Sequence, residues 1–274
     1  MGKVETLLSL TVAIFMKAKY LIIFAFTFLS ACSSSEETPD MTKTVEPKAG
    51  VLVFTKTNGF RHPSIEDGIA LIQSIGQKHQ LNVIATDNPS YFHTDSLSKF
   101  DVIVFCNTSG NDLLNNSQQQ AMEEFIQAGN GFVGIHAATD TYRNGSWPWY
   151  NDLVGGIVQS GPNHTANNYP GEMLVNDTEH PITAHLGSTW QKNEEYYYWE
   201  KNGGYLFEDN IDLLTVKSTG NESYDAERPI TWYKNYDGGR SFYTALGHNR
   251  SDYQNDEAFK LLIENGILWA ASIL

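Results

Sequence analysis

Four short, largely apolar runs mark the first half of the chain: Val51 to Phe54, Leu81 to Thr86, Asp101 to Phe105, and Gly131 to Ile135. Each reads as a strand; Gly131 to Ile135 has the composition of one buried on both faces, and Val51 to Phe54 suits a central parallel strand. The segments between them change period. From Pro63 and Ser64 onward, Ile65, Ile69, Ile72 and Ile75 share one helical face, and Ser64 with Asp67 has the spacing of a capping box. Ser117 to Ala128 reads the same way, with Ser117 and Gln120 at the start, Met122, Phe125 and Ile126 facing inward, and Gly129 as the stop. Strand, helix, strand, helix at short spacing predicts an α/β fold of flavodoxin-like type, a mostly parallel sheet with right-handed crossovers and helices on both faces. Ligands of such sheets sit at the carboxyl ends of the strands, so the loops 56–62, 107–110 and 136–140 should converge.

The second half is less regular. Tyr142 to Gly171 is rich in Gly, Asn, Pro and Trp, with one short turn near Tyr150 to Val154, the character of a functional loop. Strands follow near Glu172 to Val175, Leu213 to Val216, Ile230 to Tyr233 and Ser241 to Ala245. A final helix, about Asp256 to Ala271, turns Phe259, Leu262 and Ile263 inward.

The N-terminus follows a different logic. Lys17 and Lys19 precede an apolar stretch, Tyr20 to Phe28, and then Leu29-Ser30-Ala31-Cys32, the pattern of a bacterial lipoprotein signal over residues 1–31. Met16 offers an alternative start. Cys32 is the expected lipidated residue, anchoring the protein to the cell envelope on a periplasmic or outward membrane face. Residues 32–49, rich in Ser, Glu, Thr and Pro, read as a flexible tether, and 50–274 as the folded domain. Removing residues 1–31 takes away Lys3, Lys17, Lys19 and Glu5, which leaves 15 basic and 31 acidic residues and a net charge of −16. That charge argues against a nucleic-acid partner. The other cysteine is Cys106, so no disulfide framework is expected.

Within Gly134-Ile135-His136-Ala137-Ala138, small residues surround one polar side chain, as a sharp strand-to-helix turn requires. His136 is then either lifted above the sheet edge for chemistry or a buried imidazole satisfied by one backbone carbonyl. The segment resembles the Gly-Ile-Cys-x-Gly elbow of class I glutamine amidotransferases with His in place of Cys, and Phe242 to His248 is similar to the segment that supplies their histidine. More specifically, Gly59 to Ile65, Gly134 to Ala138, Glu179 to Thr183, Glu194 to Tyr197, Arg228 to Trp232 and Gly247-His248 together resemble the ThuA-like (trehalose-utilisation) family over about residues 50–272. The resemblance implies the amidotransferase-like fold and a role with trehalose or oxidised (3-keto) glycosides. Without a thiol at position 136, glutamine hydrolysis through a thioester is excluded.

His136 and His248 both follow strands at one sheet edge, so they can trade a proton or, together, hold a divalent metal with His62, His164 or Glu195. Glu195, beside aromatic residues, is a candidate acid. Arg61, His62, Asn107, Thr108, Asp140, Trp149 and His164 are candidate substrate contacts, through hydrogen bonds to hydroxyls or, for Trp149, stacking on a sugar ring. The sequence supports an exported, lipid-anchored protein acting on a disaccharide or (3-keto) glycoside by His-based acid/base or metal-assisted chemistry. The alternative is a catalytically silent carbohydrate-binding lipoprotein.

Overall fold

The computed structural model describes residues 46–220 and 225–274, so the signal, Cys32 and most of the tether lie outside the described residues. In chain order the elements are β1 (Gly50–Phe54), α1 (Ile65–His79), β2 (Asn82–Thr86), α2 (Thr94–Leu97), β3 (Val102–Cys106), α3 (Asn116–Gln127) and β4 (Gly131–Ile135). Then come α4 (Pro148–Val154), β5 (Gly156–Ile157), β6 (Tyr169–Val175), β7 (Thr189–Glu194), β8 (Tyr205–Leu206), β9 (Ile211–Val216), β10 (Arg228–Tyr236), β11 (Gly239–Thr244), α5 (Arg250–Asn255) and α6 (Glu257–Ala270).

Nine strands form one sheet in the order β2-β1-β3-β4-β11-β10-β9-β6-β7, and β5 pairs separately with β8. The first five are parallel neighbours, the flavodoxin-like half, and β1, β3 and β4 are buried at every position. From β11 outward the pairing is antiparallel. The sheet is therefore more mixed than the apolar runs predict. β7 in particular has no sequence signature: Thr-Trp-Gln-Lys-Asn-Glu is polar because it lies at the sheet edge. Alternation along β4 sets the two helical layers. A side chain at Gly131 would strike Ala270 of α6, whereas one at Gly134 would meet Val154 of α4 and the Tyr243 ring, so these helices cover opposite faces.

The caps differ from the predicted ones. Ser64 makes no cap to α1; its hydroxyl donates instead to the Gly247 carbonyl at 3.2 Å, tying the β1–α1 loop to the segment after β11. At α3 the capping box belongs to Asn115 and Gln118, two residues before the predicted pair, because Asn115 has the extended backbone a cap needs. The Asn115→Ala variant is expected to lose about 1 kcal/mol of stability and Ser117→Ala clearly less, measured by urea denaturation. Equal losses would contradict this assignment of the cap.

Candidate functional site

The strands end at left-handed residues. Asn107 (φ 53°) follows β3, His136 (φ 48°) follows β4, and Gly247 (φ 107°) comes shortly after β11. For a histidine this region is uncommon, and such backbone clusters where surrounding contacts over-determine it. Here the Tyr243 hydroxyl donates to the His136 carbonyl at 2.8 Å. The small neighbours have their expected cause, since a Cβ at Gly134 would come within 3.2 Å of Tyr243, Val154 and Ala138. The chain continues from His136 into a single 3-10 turn to Asp140 rather than a helix. Isolated bridges join Thr57 to Ser109 and Gly110 to Thr141, so the three predicted loops do meet.

His136 Nδ1 lies 2.7 Å from the Ala245 carbonyl, which can only accept, so the ring donates there and a neutral imidazole keeps its lone pair on Nε2. The single-carbonyl reading of His136 therefore describes one nitrogen only. Nε2 faces Glu195 Oε2 at 3.2 Å and His248 Nδ1 at 3.4 Å, and the last two are 3.0 Å apart. Two acceptors face each other at 3.2 Å, which calls for either a shared proton or a cation between them. His62 completes the group: one ligand atom each from His62, His136, Glu195 and His248 lie within 4.8 Å of one another. His62 Nδ1 is buried without a hydrogen-bond partner. Edges of about 3.0–3.4 Å are what ligands roughly 2.1 Å from a common ion would show. The donor set of three imidazoles and a carboxylate fits a divalent transition metal, and the carbonyl on the far nitrogen of His136 is the usual outer partner of a metal-bound histidine.

A second layer positions these side chains. Tyr197 stacks on His136 at 4.6 Å and its hydroxyl is 3.1 Å from Nε2. His164 Nδ1 lies 3.0 Å from Glu195 Oε1. Glu194 is fully buried and its oxygens accept from the N–H groups of Gly247, His248 and Glu195, fixing the turn that presents His248. Burial and the neighbouring Asp252 raise its carboxyl, against the pull of Lys192 and of those N–H groups. Lys192 itself reaches Asp252 at 2.6 Å and Asp256 at 3.0 Å. Three of the four, His62, Glu195 and His248, line a pocket of about 260 Å³ together with Phe60, Asp140, Asn163, His164 and Tyr197, and His136 lies buried behind them.

A family model described as trehalose utilisation, ThuA, matches residues 50–270. The chain belongs to the ThuA family. Among solved structures, a ThuA-like protein from Bacteroides uniformis is 24% identical with a TM-score of 0.66, covering 83% of this chain and 93% of its own. A ThuA-like protein from Parabacteroides merdae is 20% identical with a TM-score of 0.65, covering 82% and 90%. A cytoplasmic protein from Salmonella typhimurium LT2 shares the fold at 11% identity and a TM-score of 0.57, covering 82% and 98%. No curated protein matches the chain.

Of the candidate residues read from the sequence, this ThuA protein brings together His62, His136, His248, Glu195, His164 and Asp140. Four others lie elsewhere. Arg61 is exposed and pairs with Glu66 at 2.6 Å, whereas its neighbour His62 is buried. The Asn107 amide donates to the Tyr253 hydroxyl and Thr108 bonds Thr141, both spent on joining loops below the pocket. Trp149 donates to Asp237, stacks on Trp147 and lines a separate groove with Tyr236 and Phe207. Tyr197 and Glu194 were not singled out for the places they take. The only sequence signal for them is adjacency to Glu195.

Burial pulls the His62 imidazole down to about 2, with His136 and His248 adding to the effect. Burial alone would raise the Glu195 carboxyl, but hydrogen bonds and charge from His136 and His248 outweigh it and hold the group well below the usual range. Both shifts have the same sign for stability. Below about pH 6.5 the unfolded chain takes up a proton that folded His62 refuses, so stability falls as pH drops, by about 1.4 kcal/mol per unit. Glu195 adds a further loss below about pH 4.3, where only the unfolded chain is protonated. Chelator-treated protein followed by thermal melting should show the first slope, and His62→Gln should flatten it between about pH 6.5 and 4.5. A variant whose profile parallels the wild type would contradict the assignment.

Proposed function

We propose that this protein is an enzyme of carbohydrate metabolism in which His62, His136, Glu195 and His248 hold a divalent metal that acts on an oxygen of a sugar or glycoside. The observation that carries the reading is the Nε2–Nδ1–Oε2 triangle with 3.0–3.4 Å edges, beside the unpartnered His62 nitrogen and open to a pocket. When bound, the ion would polarise a carbonyl or hydroxyl oxygen of the substrate. Four protein ligands would close a tetrahedral zinc site, whereas a six-coordinate ion such as Mn²⁺, Fe²⁺ or Ni²⁺ keeps two positions for ligands. Tyr197 and Glu194 hold the histidines in place. Asp140, its carboxyl raised by burial against the pull of Arg143 and His136, stands across the pocket as a group able to move a proton. The family's description supports a sugar as the ligand.

Protein purified without chelator should carry about one such ion per chain by elemental analysis, and His136→Gln should lose it. His136→Gln and His248→Gln are each expected to reduce turnover at least about a hundredfold, with the double variant little worse than either single one. The substrates to screen are trehalose, other glucosides and their 3-keto forms. Metal-free protein with full turnover would leave acid/base chemistry through the proton shared by His136 and Glu195. Sugars that bind wild type and variants alike and are never converted would make the protein a binder.

We also propose, from the Leu29-Ser30-Ala31-Cys32 pattern, that the enzyme is lipid-anchored to the cell envelope. Cys32→Ala is expected to move it from the membrane to the soluble fraction or leave it unprocessed. Equal membrane association of both forms would remove the anchor.

A further inference from the structure

The metal pocket does not end at its own rim. Phe60, Asp140 and Asn163 line it on one side and, on the other, line an open cavity of about 570 Å³ whose remaining walls include Asn111, Arg143 and Ser160. The two spaces share these three residues as a common border and form one cleft. The inner part, about 260 Å³, falls below the ~300–1,000 Å³ typical of pockets that enclose a drug-sized ligand, and the cleft as a whole lies within that range.

We propose that this outer cavity is a second sugar subsite: the ring that reacts sits over the metal ligands, and the next ring of the same glycoside lies between Phe60, Asn111 and Arg143. The inference rests on the metal-centre reading and extends it to the length of the substrate. Three features carry it. Phe60 is 63% exposed at the border of the two spaces, and its ring contacts His62 edge-on at 4.9 Å, so one face is free beside the metal pocket. A large apolar side chain left in water where a polar cleft narrows suits the apolar face of a pyranose better than it suits solvent.

The polar lining has the second feature, a lack of net charge. Its one acid and one base, Asp140 and Arg143, pair with each other at 2.9 Å, and the rest are amides, hydroxyls and backbone. Such a wall suits an uncharged polyhydroxyl group and offers nothing to a phosphate or a carboxylate that the Asp140 charge would not cancel. The third feature is an acceptor without a donor. The Asn111 side-chain oxygen is buried and unpartnered, while its backbone carbonyl already accepts from Asn58. A buried amide oxygen left unpaired is costly, and a ligand hydroxyl donating to it removes that cost.

The test measures binding, not turnover. Protein loaded with Mn²⁺ is titrated calorimetrically with a panel of glucose disaccharides of different linkage, natural and 3-keto, and with the matching methyl glucosides. Asn111→Ala removes the acceptor, and Ser160→Trp fills the outer cavity; neither residue lines the metal pocket. At least one disaccharide is expected to bind wild type about tenfold or more tighter than its methyl glucoside. Ser160→Trp should bring the two to equality, Asn111→Ala should remove part of the difference, and both should keep the ion and the methyl glucoside affinity. Disaccharide and methyl glucoside binding with equal affinity in wild type, or a preference untouched by both variants, would overturn the subsite and leave the metal-centre reading standing. No binding of either sugar length to metal-loaded protein would overturn both.

Discussion

The hydrogen bond from His136 Nδ1 to the Ala245 carbonyl joins the ends of two neighbouring parallel strands, β4 and β11, through a side chain rather than a backbone pair. Its direction is forced, because a carbonyl only accepts, and so it decides which nitrogen of the ring is free. The geometry around it follows. With Nε2 turned inward, His248 from the loop after β11, Glu195 from the end of β7 and His62 from the loop after β1 can approach one point. The left-handed backbone at His136 is the strained element that this arrangement stabilises, and the Tyr243 hydroxyl on its carbonyl supports the same turn. A side chain that lost its Nδ1–H, or a bulkier residue at Gly134, would disturb the whole edge of the sheet.

The parallel half of the fold could be read from the sequence because its inner strands β1, β3 and β4 are buried on both faces and so are written in apolar residues, whereas β2, at the edge, is only half-buried. The antiparallel extension was less visible for the same physical reason. β7, at the outer edge, carries Gln191, Lys192 and Asn193, and no apolar period announces it. Yet this strand delivers Glu194 and Glu195, so the least visible element supplies the carboxylates of the site. His136 and His248 were legible because they follow recognisable strands. Arg61 and His62 show where that reasoning stops. Arg61 is exposed and His62 buried in the cluster, a difference that neither residue type nor spacing in this polar loop carries.

The elbow itself shows how a fold can keep a geometry while changing the chemistry. A thiol at such a turn would be a nucleophile, whereas an imidazole with one nitrogen fixed by a carbonyl is a directed lone pair. Cys106, at the end of the adjacent strand, offers no substitute: it is wholly buried, and burial pushes its thiol up to about 12. The position above the sheet edge is thus suited to holding something else that reacts.

Charge explains why the two parts of the cleft differ. The inner pocket holds the Glu195 carboxylate in a buried setting, and the cation nearest the adjoining turn, Lys192, is already committed to Asp252, Asp256 and Glu194. A dication in the cluster would reverse that sign and favour an oxygen ligand carrying or developing negative charge. The outer cavity has its only opposite charges paired, Asp140 with Arg143. In the proposed reading, a field acting on the reacting oxygen would sit beside a wall suited to hydroxyls without net charge, so chemistry and recognition would be separated along one cleft. Phe60, Asp140 and Asn163 stand where the two meet, so in the proposed reading a change at any of them should alter both binding and turnover, whereas Asn111 and Ser160 line the outer cavity alone.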